Sequence, residues 1–201
     1  MIGFSFHKIQ MGNGKGRGFT LVELLVGMAI FSLIGGAAFS LLVSGIAAQR
    51  NALGKQAIVD QISFVSEYMS RALRQARKEL NSPASCLTTA GRGWNYEVGG
   101  GGSRIRFLDR NNRCREFFLD TEQIKERISS DHTQANLGTA QALTPNDLTI
   151  QILTFIAQGA YQEEAPPRQS RVTFSLQVKA KGAAEMFFQT TVSQRRLDVL
   201  E

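Results

Sequence analysis

The most chemically charged position in the N-terminal part of the chain is Glu23. It is the single acid inside an apolar run, Phe19–Ala48. A carboxylate at the edge of a bilayer core costs about 2.5 kcal/mol or more unless it is paired or reaches the interface. Glu23 therefore either snorkels to the headgroups or meets a cation. Cys86 and Cys114, 28 positions apart, are the only two cysteines. They offer a disulfide or two buried thiols. They offer no metal site, because no second pair of ligands accompanies them, so no metal or other cofactor is expected.

The remaining candidates are weaker. His132 stands beside Asp131, but a base and an acid need a nucleophile and a pocket, and a histidine in a polar loop reads as solvated. Asp109-Arg110-Asn111-Asn112 is oxygen-rich like a calcium loop, yet it lacks the glycine and the terminal glutamate of an EF-hand, and a hairpin turn explains it better. Glu163-Glu164 before Pro166 reads as a solvated loop. Gly12, Gly14 and Gly16 follow no strand and so do not form a phosphate loop. Arg104, Arg106, Arg110, Arg113 and Arg115 cluster on one predicted hairpin, with Phe107 and Phe117 nearby. This cluster is either a DNA contact or an ordinary solvated sheet face. No catalytic residue is assigned, and the chain is read as a non-enzyme.

These residues lie on three kinds of segment. The chain of 201 residues carries 23 Lys and Arg against 17 Asp and Glu, for a formal charge of +6. Lys8, Lys15 and Arg17 precede the first acid, leaving 20 against 17 from Phe19 onward. The basic pI is thus partly a property of the head of the chain and argues little for a nucleic-acid surface. From Leu24 to Gln49 no residue is charged. The remainder is correspondingly polar, and mean hydropathy comes out at -0.13. The 43% hydrophobic content argues against intrinsic disorder, and the lack of a second long apolar run excludes a multi-span membrane protein.

A bilayer core of about 30 Å needs about 20 apolar helical residues, so Phe19–Ala48 is long enough to span one. The basic leader before it favours a cytoplasmic N-terminus, a vote that Arg50 and Lys55 weaken. Ile58, Ile62, Val65, Met69, Leu73, Ala76 and Leu80 then recur at spacings of three and four, predicting an amphipathic helical extension over 49–82 that stops at Asn81-Ser82-Pro83. A helix over Phe19–Leu80 would measure roughly 90 Å. Residues 83–201 read as strands. Arg104–Leu108 and Cys114–Leu119 form a hairpin about 109–113, followed by Gln123–Ile128, Leu148–Ala157, Arg171–Ala180 and Met186–Ser193. Ala90–Ser103 reads as a Gly-rich loop, and Lys181–Ala184 as a turn. The predicted fold is α+β: a long N-terminal helix whose second half covers the apolar face of a C-terminal antiparallel sheet.

The order of the head differs from a secretory signal, in which cleavage follows the apolar core. In Lys15-Gly16-Arg17-Gly18-Phe19-Thr20-Leu21-Val22-Glu23-Leu24-Leu25-Val26 a basic, Gly-ended leader comes first. This stretch resembles the prepilins of the type IV pilin and type II secretion pseudopilin family, in detail over residues 15–48 and beyond them in architecture. The resemblance implies that residues 1–18 are a cytoplasmic leader with its basic end at Lys15 and Arg17. It implies cleavage between Gly18 and Phe19 by a membrane prepilin peptidase, and N-methylation of Phe19. It implies that 19–48 first spans the cytoplasmic membrane and then forms the filament core, with the sheet domain extracytoplasmic. Glu23 matches the acid at the fifth mature position, one helical turn from the new amine of Phe19, where it can pair with its own terminus or a neighbour's.

Other pilins or pseudopilins and an inner-membrane assembly platform are the implied partners. Ser40 stands where major pilins commonly carry a proline, which favours a minor pilin or pseudopilin. Gly27, Gly35, Gly36, Ala37, Ala38, Gly45, Ala47 and Ala48 would let helices approach closely. In an extracytoplasmic domain a Cys86–Cys114 bridge persists and adds about 3 kcal/mol; two free buried thiols are the alternative. A DNA- or surface-binding module of a competence or adhesion pilus is the runner-up reading, and a plain single-pass anchored protein or a membrane-anchored enzyme the third.

Overall fold

The computed structural model describes residues 18–162, 169–180 and 185–195. Lys15 and Arg17, the Gly12–Gly16 run, Glu163-Glu164 with the prolines, and the Lys181–Ala184 turn lie outside the described residues. The chain divides into two compact units at Ala48/Gln49.

The first unit is helical. Helix α1 covers Leu21–Arg74, and its part up to Ala48 belongs here. Every residue from Gly18 to Ala48 is exposed, including Phe19, Leu25, Phe31, Leu33, Phe39 and Leu41. The helix is long and apolar enough to cross a membrane. It runs unbroken through Ser40, as the absence of proline allows.

The second unit is the α+β body that the sequence predicts. Residues 49–74 of α1 present Ile58, Ile62, Val65, Met69, Ala72 and Leu73 as a buried stripe. That stripe packs into one core with Tyr96, Ile105, Phe107, Phe117, Ile124, Phe155 and Phe174. The periodicity was thus legible up to Leu73, but the predicted helical end is displaced. Helix α1 stops at Arg74, and Leu80 is exposed. The amides of Gln75 and Ala76 close back on Ala72 and Leu73. Arg77 N–H then bonds Leu108 O at 2.9 Å and Glu79 N–H bonds Trp94 O at 2.8 Å. Extended hydrogen bonds to the sheet edge replace the last predicted turn.

The strands form two sheets rather than one. The first, in the order β1-β2-β3-β4-β5, comprises Glu97–Gly99, Arg104–Leu108, Cys114–Asp120, Gln123–Ile128 and Gln141–Ala142. The second, β6-β7-β8, comprises Leu148–Gln158, Arg171–Ala180 and Met186–Ser193. All neighbours are antiparallel. The Gly-rich stretch read as a loop contributes β1, and Gly100–Gly102 form a single 3-10 turn. Leu108↔Cys114 and Asp120↔Gln123 fix the two hairpin registers.

Candidate functional site

The site begins where the apolar helix begins. Thr20 caps α1: its hydroxyl accepts the Glu23 N–H at 3.2 Å, and its carbonyl accepts the Leu24 N–H at 3.1 Å. Thr20-x-x-Glu23 is the sequence form of a helix N-cap, a signal the reading of Glu23 alone passed over. The cap places Glu23 in the first turn, where a carboxylate also complements the positive end of the helix dipole. Gly18, Phe19 and Glu23 thus sit together at one exposed helix start.

The described glycines of this unit meet no crowding among the described residues. A Cβ added at Gly18, Gly27, Gly35, Gly36 or Gly45 would meet nothing within 4 Å, and none of these residues has a positive φ. Glycine inside a helix costs about 1 kcal/mol relative to alanine. Gly27, Gly35, Gly36 and Gly45 therefore weaken α1 without any return from contacts within the described residues. At about 100° per residue, Gly27, Ala38 and Gly45 fall on one face with Glu23.

The other described candidates lie in the second unit, and among the described residues they do not converge on a reaction centre. Cys86 and Cys114 are joined, with their Cα atoms 5.4 Å apart, and both are fully buried. Around them Leu87 and Leu108 form a small core beside Trp94. The buried carboxylate of Glu79 organises this corner, accepting the N–H groups of Asn81 and Cys86 at 3.0 Å and of Leu87 at 3.4 Å. Asp109 is a turn residue: Oδ1 accepts the Asn111 and Arg113 amides, and Oδ2 accepts the Arg113 side chain. Asn112 supplies the left-handed position at φ 60°. His132 is exposed. Its neighbour Asp131 is engaged by Thr133 and Asn136, contacts that hold its carboxyl below the usual range. Asp131 thus shapes a loop.

The hairpin arginines are largely spent on carboxylates. Arg106, nearly buried, bridges Glu97 at 2.7 Å and Glu116 at 2.8 Å. Arg115 pairs with Glu126 and donates to Tyr68 Oη, Arg113 pairs with Asp109, and Arg104 lies 3.6 Å from Glu116. Tyr68 donates to Glu126 at 2.8 Å, a clasp between helix and sheet. Burial, and then that hydrogen bond, push the Tyr68 hydroxyl up from its ordinary value. Sequence spacing could not show these pairs, because they depend on cross-strand register.

Comparison with known proteins singles out the same head of the chain. The family model of the prokaryotic N-terminal methylation motif matches residues 14–39. No curated protein and no solved structure matches the chain.

Proposed function

We propose that this chain is a processed, membrane-anchored subunit of a type IV pilin-like filament. The observation that carries the reading is the methylation motif over residues 14–39, which falls on the capped start of an exposed apolar helix. A prepilin peptidase cuts between Gly18 and Phe19 and methylates Phe19. Gly18 supports this role: among the described residues neither φ nor crowding calls for glycine there, as a requirement set by the peptidase would have it. Residues 19–48 hold the subunit in the cytoplasmic membrane, N-terminus inside, with the sheet domain on the extracytoplasmic side. An assembly platform then transfers the subunit to a bundle of like helices. There the glycines of α1 admit close neighbours, and Glu23 pairs with a Phe19 amine.

The continuous helix through Ser40 favours a minor pilin or pseudopilin over an abundant pilin. A DNA- or surface-binding role for the sheet domain is disfavoured by the pairing of Arg104, Arg106, Arg113 and Arg115 with carboxylates, and the reading is of a structural subunit rather than an enzyme. The test is Glu23→Leu in a cell with its filament machinery. Insertion and cutting persist and filament incorporation is lost. Incorporation at the wild-type level would overturn the reading.

A further inference from the structure

The second unit is electrically polar from end to end. At the C-terminal end of α1 lies a cleft of about 480 Å³ lined by Arg71, Arg74, Gln75, Gln169, Ser193 and Arg195. No carboxylate lines it among the described residues. Arg71 is partnered by Glu67 at 2.7 Å. Three of the helix-end carbonyls that would repel an anion are already engaged: Ala72 O by Gln75, Leu73 O by Ala76 and Tyr96, and Arg74 O by Arg195. Arg171, exposed and directly opposite Ser193 in the β7–β8 ladder, adds a further cation to this end.

The opposite end is acidic. The β3–β4 turn carries Asp120 and Glu122, with Thr121 and Glu122 both in the left-handed region, which makes a narrow two-residue tip. Asp147 joins it: Gln123 donates to Asn146, and Ile150 N–H bonds Glu122 O at 2.8 Å. Glu185 stands near the same end, bonded by Gln151 and Gln177. Those contacts, with Lys179, hold its carboxyl below the usual range. Lys125 and Lys179 offset part of this charge.

Strand β6 measures the distance between the two ends. It starts at Leu148 beside the acidic tip and ends at Gln158, paired with Arg171. Eleven residues at about 3.3 Å each separate the ends by more than 30 Å. They cannot neutralise one another within one molecule.

We infer that the arginine cleft at the end of α1 receives the acidic Glu122–Asp147 tip of a second copy of this chain. The two surfaces differ, so the contact is heterologous and leaves one free cleft and one free tip on every pair. Such a contact repeats without closing, as a filament requires. Exposed ion pairs add little binding energy but fix orientation and register. The α1 bundle would hold the subunits together and this contact would set how successive sheet domains align. The inference rests on the filament reading above and adds the partner and the contact.

The test uses the full chain in native membranes. Ser193→Cys and Asn146→Cys in one chain, under mild oxidation, should give a ladder of dimers and higher species that neither single variant gives. In that background Arg74→Glu or Glu122→Arg alone should lower the ladder at least tenfold, and the two together should restore it to within twofold. Arg195→Glu serves as a second reversal should Arg74→Glu disturb the helix end, with Trp94 fluorescence as the fold control. An absent ladder, a ladder indifferent to charge, or loss without recovery would each overturn the inference. Loss without recovery would assign the cleft to an acidic segment of a different subunit. Failure of the filament reading is scored separately, by the N-terminal residue of the unmodified protein.

Discussion

Replacing Cys86 and Cys114 together by alanine should cost about 3.5 kcal/mol. The native contacts around the bridge do not depend on it. Cys86 N–H is held by Glu79, and Cys114 N–H by Ser129 and Asp131, so removal acts mainly on the unfolded chain. For a separation of 28 residues, the loop-closure entropy released to the unfolded state corresponds to about 3.5 kcal/mol at 25 °C. In a folded unit of this size that is a fall in Tm of roughly 10 °C. Trp94, the only tryptophan, lies against the same small core and against the Tyr161 ring, so its fluorescence follows urea unfolding of the full chain in detergent micelles. The double variant should lose midpoint at constant slope. Because both cysteines are fully buried, the native protein should also resist reductant until it unfolds. A cost below about 1 kcal/mol would refute the entropic account, as would reduction of the native protein as fast as of the unfolded one.

Two further outcomes follow from the helix. The raised Tyr68 hydroxyl contributes stability that is present below its unfolded value of 10.0 and is lost as pH rises through the higher folded value. Tyr68→Phe should therefore flatten the alkaline limb of the stability curve relative to wild type, measured by urea midpoints from neutral pH upward; superimposable limbs would remove the clasp from the account. Gly27→Ala and Gly45→Ala should each leave α1 equally or more helical, by up to about 1 kcal/mol, while filament incorporation falls. Circular dichroism in micelles and incorporation in cells measure the two sides, and unchanged incorporation for both would deny these glycines an intermolecular role.

What the sequence disclosed is what depends on near neighbours along the chain. Spacings of three and four revealed the buried stripe from Ile58 to Leu73, and the polar run Asp109–Arg113 revealed a hairpin whose turn residues are the ones that form it. The end of α1 escaped because Ala76 and Leu80 keep the helical period, while the competing partner, Leu108 O, lies on a distant strand. Strands β1 and β5 escaped because three and two residues carry no periodicity. The hairpin arginines read as a free basic face because only the register of β2 on β3, and of β3 on β4, sets Arg106 beside Glu116 and Arg115 beside Glu126. At the head of the chain the motif was legible in full. What the sequence could not show there is that the glycines of α1 meet no crowding among the described residues.

The central claim is processing at the head of α1, and the most direct measurement is the intact mass and N-terminal residue of the protein from native membranes. The account predicts a chain that begins at Phe19 and carries one added methyl group on its amine. A chain that retains Met1 in cells with an active prepilin peptidase would contradict it.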